Sequence, residues 1–192
     1  MKHVFAGALA VFAVAVLSGC DWEGVDSDSG VTQRYNWVRF DGTYVSAVDR
    51  YLVEDFDVGN SNTTSSAGSS GEPVYSMTVQ QAGNNLTMID NNGGTYSGLI
   101  STIASTGGQT IEYPDTTTSM PANGDTMTAS FEVEGRSSSG VHVKIVGTLT
   151  GTATVTAATA TTPSTIRLAT RTIRGTWIEA NGFTGEVLGT AP

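Results

Sequence analysis

The sequence predicts an all-β domain: one antiparallel meander of about eight or nine strands that closes as a barrel or stacks as a two-sheet sandwich. Composition and alternation predict it. The 192 residues include 29 Thr and 23 Gly, and only 14% are charged, which favours pleated strands joined by tight turns. Apolar and polar residues alternate with period two, and no segment keeps a comparable stripe at helical spacing. A single layer of that many strands would expose two edges, so the sheet must close or stack.

The clearest alternation covers residues 141–157. Its apolar face predicts the inside of the sheet, and a Thr-rich face lies opposite. Gly147 and Gly151 stand at inward positions, which predicts a tightly coiled sheet because no side chain obstructs the bend. We expect 141–157 and 165–179 to pair over most of their length as the spine of the sheet. The inward positions are Val141, Val143, Ile145, Gly147, Leu149, Gly151, Ala153 and Val155.

Shorter alternating segments predict further strands at 74–81, 86–90, 95–101, 127–134 and 183–187. Asn- and Gly-containing links at 82–85, 91–94 and 181–182 predict tight hairpin turns, since Asn and Gly tolerate positive φ. Residues 136–140 and 158–164 predict two more turns. The longer segments 59–73 and 103–125 predict loops, the second with a short strand at 110–113.

A change of apolar phase marks the strand at 165–179. The apolar positions move from 166 and 168 to 173 and 177, and such a shift within one strand predicts a β-bulge. The arginines of this strand then fall on both faces. In so acidic a chain we expect them to pair with acids across the sheet, and binding of an anionic ligand is the alternative. The residues concerned are Arg167, Arg171 and Arg174, with Glu132 and Glu134.

The N-terminus predicts an export signal. A short positive start, Met1-Lys2-His3, precedes fourteen residues at 4–17 that are apolar apart from Gly7. That length matches the core of a signal helix and is too short to span the hydrocarbon core of a bilayer.

Leu17-Ser18-Gly19-Cys20 resembles the lipobox of bacterial lipoproteins at all four positions, and Cys20 is the one Cys in the chain. The resemblance implies that the thiol of Cys20 receives a diacylglycerol, that the signal is cleaved before it, and that the new amine is acylated. Two or more acyl chains anchor a protein stably, so the implied partner is membrane lipid in the bacterial cell envelope. Asp21 resembles the enterobacterial signal for retention in the inner membrane.

The resulting organisation is a signal peptide at 1–19, an acidic flexible tether at 20–33 and a β-domain at 34–192. The tether carries Asp21, Glu23, Asp26 and Asp28, with no basic residue before Arg34. A segment so rich in acid, Ser and Gly cannot bury a core and acts as a spacer.

Two short motifs concern the architecture of the domain. Gly42-Thr43-Tyr44 near its start and Gly175-Thr176-Trp177 near its end resemble the glycine-x-aromatic turns of calycin barrels, the lipocalin-like families. The resemblance implies a barrel, with Tyr44 where lipocalins carry Trp.

Charge and residue content exclude several functions. A formal charge of −9 leaves no basic stripe for nucleic acid. One Cys excludes a disulfide framework and a CxxC metal site. His142 is the single His after the signal segment, it lies on the polar face of a strand, and the chain has no Gly-x-Ser-x-Gly elbow. We therefore predict no enzyme and no cofactor.

Residues 55–62 resemble part of a calcium loop. Asp55, Asp57, Asn60 and Asn62 place oxygen donors at nearly alternate positions, but Gly59 and Ser66 stand where the EF-hand pattern requires ligands. These four residues are the candidate calcium ligands, and a solvated strand end is the alternative.

The function expected from these features is that of a membrane-anchored envelope lipoprotein acting as a non-enzymatic binding or structural accessory, with an envelope protein as partner. The alternative is a lipocalin-like carrier that holds a small apolar ligand inside a barrel.

Overall fold

The computed structural model describes residues 33–34, 38–46, 51–55, 73–111, 116–117, 121–157 and 165–192. Within these ranges all regular secondary structure is β-strand, which confirms the all-β prediction. The strands are β1 (Gln33–Arg34), β2 (Gly42–Val45), β3 (Val53–Asp55), β4 (Ser76–Ala82), β5 (Asn85–Asp90), β6 (Thr95–Ile100), β7 (Ile103–Ser105), β8 (Thr110–Ile111), β9 (Thr116–Thr117), β10 (Thr126–Arg136), β11 (His142–Thr156), β12 (Thr165–Glu179) and β13 (Thr184–Ala191).

Eight strands form a closed antiparallel barrel. The order around the barrel is β2, β4, β5, β6, β10, β11, β12 and β13, and β13 pairs back with β2. Neighbours around the ring are therefore neighbours along the chain apart from the short inserted strands. Of the two predicted architectures, the barrel is the one that forms. When the barrel closes, the two edge strands that a flat meander would expose form hydrogen bonds with each other.

The inserted strands extend two members of the ring. β2 pairs with β13 at Val45 and Thr190, and β3 continues along β13 with Val53 opposite Val187. In the same way β7 continues β6 along β10, and β8 pairs with the outer edge of β7. The short strand predicted at 110–113 is β8. The pair of β1 with β9 lies outside this sheet.

The predicted spine is confirmed. β11 and β12 pair from Val143 opposite Glu179 to Thr156 opposite Thr165, and β10 pairs with the other edge of β11 over its whole length. The register shifts between Thr150 and Thr152, where Thr170 on β12 has a φ of 47°. This irregularity is the bulge that the change of apolar phase predicts.

The inward face of β11 is also the predicted one, with Val143, Ile145, Leu149 and Ala153 buried. Gly147 lies opposite Gly175 on β12. A Cβ at Gly147 would collide with the backbone of Arg174 and Gly175. The two glycines therefore let β11 and β12 approach and coil, as expected from their inward positions.

Glycines with positive φ lie at the hairpin turns that the sequence predicts. Gly83, Gly93, Gly140 and Gly182 have φ values of 63°, 93°, 83° and 96°. These turns join β4 to β5, β5 to β6, β10 to β11 and β12 to β13. The turn expected at 158–164 lies outside the described residues, although β11 and β12 on either side of it pair.

The predicted signal peptide, Cys20, Asp21 and most of the tether also lie outside the described residues. In the part of the chain that the structure describes, no helix has the length and the hydrophobicity needed to cross a bilayer.

Candidate functional site

Buried side chains occupy the inward positions of the barrel strands that the structure describes. Three aromatic and three methionine side chains on six strands point inward, and each exposes 2% or less of its surface. A side chain that lines a water-sized cavity keeps accessible surface toward it, so these six border no such cavity. An eight-stranded barrel is just wide enough for side chains to fill. The six residues are Tyr44, Tyr96, Trp177, Met77, Met88 and Met127.

One end of the barrel, here called the hairpin end, holds a buried polar cluster. The turns at 91–94, 137–141 and 180–183 form this end. Asp90, the last residue of β5, is 5% exposed and accepts a hydrogen bond of 2.6 Å from the hydroxyl of Tyr96. Its other oxygen accepts the backbone N–H groups of Asn92 and Gly94 at 2.8 and 2.9 Å. Asp90 therefore fixes the β5–β6 turn and the Tyr96 ring together.

A second carboxylate lies in the same cluster. Glu179, the last residue of β12, is 4% exposed. It accepts the indole N–H of Trp177 and the amide N–H of Asn181, each at 3.0 Å. The rings of Trp177 and Tyr96 meet edge to face with centroids 5.2 Å apart, a favourable aromatic geometry. The two carboxylates are thus connected through a pair of packed aromatic rings.

Burial dominates the electrostatics of this cluster. It raises the pKa of Tyr96 well above its ordinary value, and the hydrogen bond and charge of Asp90 and the charge of Glu179 raise it further. Tyr96 is therefore a permanent hydrogen-bond donor. The hydrogen bonds that the two carboxylates accept from protein groups order the core at this end.

The opposite end, here called the capped end, is crossed by residues 38–41. Val38 and Phe40 are fully buried. Gln81, at the end of β4, holds this segment: its side-chain oxygen accepts the N–H of Phe40 at 2.9 Å, and its own N–H donates to Asp41 at 2.5 Å. The segment that follows the predicted tether therefore closes this end of the barrel.

Arg171 joins three strands at the capped end. The bulge at Thr170 turns its side chain inward, where a Cβ on Gly151 would lie 3.2 Å from it. Its guanidinium donates to the backbone oxygens of Asp41 and Pro192, while its Nε atom has no hydrogen-bond partner among the described residues. Arg171 thereby ties β12 to the start of β2 and the end of β13.

Tyr44 lies beside this contact and donates to the backbone oxygen of Phe40 at 2.8 Å. Burial raises the pKa of Tyr44 above its ordinary value, and the positive charge of Arg171 opposes that increase. The two glycine-x-aromatic motifs thus place Tyr44 at the capped end and Trp177 at the hairpin end, both inside the barrel.

The expected pairing of arginines with Glu132 and Glu134 is wrong. These acids lie on the outer face of β10 opposite β11, whereas the arginines are on β12, one strand farther away. Lys144 on β11 is 2.5 Å from Glu132 and 3.7 Å from Glu134, and the bond to Glu132 raises the pKa of Lys144. The order of the strands in the sheet decides which basic residue pairs with these acids, and the sequence pattern does not specify that order.

The other ionic contacts of these residues also join strands that are adjacent in the sheet. Arg174 pairs with Glu186 on β13 at 3.4 Å. His142 lies on the outer face of the barrel, as predicted, with its Nε2 atom 3.7 Å from Glu134. Its side chain is about half exposed, an ordinary position for a surface histidine.

Of the candidate calcium ligands, Asp55 is the last residue of β3. Asp57, Asn60 and Asn62 lie outside the described residues. Within the described ranges, no three His, Cys, Asp or Glu side chains gather closely enough to hold a metal ion.

Asp90, Tyr96, Glu179 and Gln81 were not predicted as site residues. For three of these residues the sequence pattern does indicate a buried polar side chain. Asp90 and Glu179 are acids at inward positions of alternating strands, each just before a turn, and Gln81 continues the inward phase of Met77 and Val79. A polar residue in an inward position is the feature that indicates a buried network.

Comparisons with protein-family models, with curated proteins and with solved structures found no match.

Proposed function

We propose that this chain is a lipid-anchored protein of the bacterial cell envelope, in which the β-barrel is a non-enzymatic accessory that binds partners through its outer surface. The observation that carries the choice of an accessory is the burial of the inward aromatic and methionine side chains, which have almost no accessible surface. Binding through groups on the outside and at the ends of the barrel fits that burial better than binding inside it.

The anchor is supported by the lipobox at residues 17–20. The geometry agrees with a tether between Cys20 and the capped end, because residues 38–41 cross that end before β2 begins. The twelve residues between Cys20 and β1 reach about 40 Å when fully extended. A spacer of that length would let the barrel lie at a distance from the membrane.

The non-enzymatic role is supported by the surroundings of the polar groups. His142, the one imidazole after the signal segment, faces Glu134 on an exposed strand face. Among the described residues Ser105 is the buried serine, and its hydroxyl lies 2.7 Å from the side-chain oxygen of Gln109 and 3.0 Å from a carboxylate oxygen of Asp125. A Ser–His–Asp site needs its base beside its nucleophile. Ser105 follows β6 near the capped end, while His142 begins β11 at the hairpin end.

The anchor is tested by Cys20→Ser in cells labelled with a fatty-acid analogue. We expect the variant to lose the label and to remain at precursor length, because the modified thiol is the substrate for cleavage. Ser18→Ala is the matched control, since a small residue remains in the motif, and it should be labelled and processed like the parent. Labelled, processed Cys20→Ser protein would contradict the anchor.

A lipocalin-like carrier is the second candidate, and the closed eight-stranded meander is the observation that favours it. Native mass spectrometry distinguishes the two. A carrier purified from its cells should show an added mass that disappears on unfolding, whereas an accessory should show the mass of the polypeptide and its anchor alone. A bound apolar molecule would overturn the choice of an accessory.

A further inference from the structure

Two tyrosine rings meet at the hairpin end of the barrel. Tyr51 lies just before β3 and Tyr75 just before β4, and their ring centroids are 5.1 Å apart with an angle of 49° between the planes. Tyr75 is 51% exposed and Tyr51 is half-buried. These two residues, here called the tyrosine pair, therefore combine close contact between the rings with access from solvent.

Main-chain hydrogen bonds hold the tyrosine pair in place. The N–H of Leu52 donates to the backbone oxygen of Val74 at 2.7 Å, and the N–H of Leu188 donates to the backbone oxygen of Leu52 at 2.9 Å. The N–H of Tyr75 donates to the side-chain oxygen of Asn91 at 2.7 Å. The segments that carry the two rings are thus joined to each other, to β13 and to the β5–β6 turn.

The hydroxyl groups of the tyrosine pair also meet. Desolvation raises the pKa of Tyr75, and the charge and the hydrogen bond of the Tyr51 side chain raise it further. In an oxidised phenol, the ring carbons on either side of the hydroxyl-bearing carbon are the positions that form new bonds. A hydrogen bond between the two hydroxyls brings one such carbon of each ring close to its counterpart.

The other tyrosines within the described ranges lack these properties. Tyr44 and Tyr96 are completely buried. Each donates its hydroxyl proton to a protein oxygen, and the two lie toward opposite ends of the barrel. Among the tyrosines that the structure describes, the pair at 51 and 75 is the one in which two phenols are in contact and within reach of an oxidant.

We propose that Tyr51 and Tyr75 form a modification site, at which a haem peroxidase with hydrogen peroxide joins the two rings as dityrosine. Because the rings are already in contact, the coupling is intramolecular, which favours it over coupling between two molecules. The proposal is independent of the lipid anchor and of the accessory function.

The reaction is an oxidation by two electrons. Each phenol loses one electron and one proton to give a tyrosyl radical, and the two radicals combine in a carbon–carbon bond between their ortho positions. The hydrogen atoms on the bonded carbons then move to the oxygens, and both rings regain their aromaticity. Hydrogen peroxide accepts the two electrons and the two protons and leaves as two water molecules.

The new bond closes a covalent loop over residues 52–74 at the hairpin end. A cross-link stabilises a folded protein mainly by restricting the unfolded chain, as a disulfide does. The dityrosine therefore acts as a covalent staple between the segment before β3 and the segment before β4.

Oxidation of the purified full chain in detergent tests the site. The protein is treated at low concentration with a haem peroxidase and hydrogen peroxide, and is then cleaved after glutamate. Cleavage after Glu54 and Glu72 separates the two tyrosines. Mass spectrometry should find a linked pair of peptides that has lost two hydrogen atoms, with the link between Tyr51 and Tyr75. Links between two copies of the chain, or links through other tyrosines, as the main product would overturn the proposal.

Single substitutions are the matched controls. Tyr51→Phe and Tyr75→Phe keep an aromatic ring but remove one phenol, and each should give about tenfold less dityrosine fluorescence than the parent, because the intramolecular partner is lost. Tyr113→Phe removes a tyrosine that lies outside the described residues, and it should form dityrosine as the parent does. Equal fluorescence from Tyr75→Phe and Tyr113→Phe would overturn the proposal.

Thermal unfolding tests the staple. The oxidised parent should melt about 5 to 10 °C above the untreated protein, and Tyr75→Phe treated in the same way should show no gain. The Cys20→Ser chain should respond like the parent, so failure of the anchor and failure of the cross-link give different results. A linked protein that melts at the temperature of the untreated protein would overturn the role as a staple.

Discussion

Replacing Leu149 by Ala should destabilise the barrel by about 3 to 5 kcal/mol, in the upper part of the range for buried leucines. Leu149 is completely buried. It lies opposite Ala129 on β10 and Ile173 on β12. Its neighbours on the same face of β11 are Gly147 and Gly151, which have no side chains to move into the space. The cavity therefore stays open, and the cost of a cavity increases with its volume.

Urea unfolding of residues 34–192, followed by tryptophan fluorescence, measures the effect. With a denaturant slope of about 2 kcal/mol/M, the midpoint should fall by about 1.5 to 2.5 M. Leu99→Ala is the matched control, because Leu99 is also on a strand but is 55% exposed, and its midpoint should move by less than about 0.3 M. Equal midpoints for the two variants would refute the assignment of the inside face.

Three further predictions concern individual residues. Gly147→Ala should destabilise the domain by about 3 kcal/mol, because the added Cβ would collide with backbone atoms. Gly151→Ala should cost about 1 kcal/mol, because there the added Cβ meets side chains that can move. Similar urea midpoints for the two variants would contradict this difference. Thr170→Asn should raise the melting temperature by relieving about 0.5 to 1 kcal/mol of strain at a φ of 47°, whereas Thr170→Val should not; a gain in both would refute the strain. Burial raises the pKa of Tyr96 above the value of an unfolded tyrosine. The stabilisation from this group is therefore fully present below about pH 10. Above that pH the unfolded state alone loses the proton, so the free energy of unfolding falls by about 1.4 kcal/mol per pH unit. Tyr96→Phe should reduce that slope in unfolding curves from pH 9 to 11.5, and parallel curves would exclude the role of Tyr96.

Much of the fold was predictable because alternation reports directly on which face is buried. The inward positions of β10 and β11, the hairpin turns and the pairing of β11 with β12 follow the sequence pattern. The bulge near Thr170 was predictable for the same reason, since a change of phase must occur where the chain gains a residue. The predicted bounds 165–179 match β12, whereas β13 was predicted at 183–187 and extends over Thr184–Ala191, because pairing and not composition ends a strand.

The buried clusters were not predicted. Asp90 and Glu179 lie on β5 and β12, which are far apart in the sequence. Their common environment with Tyr96 and Trp177 exists only once the ring of strands closes. The mistaken partners of Glu132 and Glu134 have the same origin: an ion pair across strands requires the order of strands, and charge alone does not specify it.

The sequence by itself determined the class of the domain, the inward and outward faces of its long strands, the turns between them and the expectation of a lipid anchor at Cys20. These are local properties, set by period-two patterning, by residues that tolerate positive φ and by a four-residue motif. Only the tertiary structure decided that the sheet closes as a barrel and that Arg171 joins three strands at the capped end. Both depend on register between segments distant in the chain, because β13 pairs back with β2 and Arg171 on β12 lies opposite Ala191 on β13.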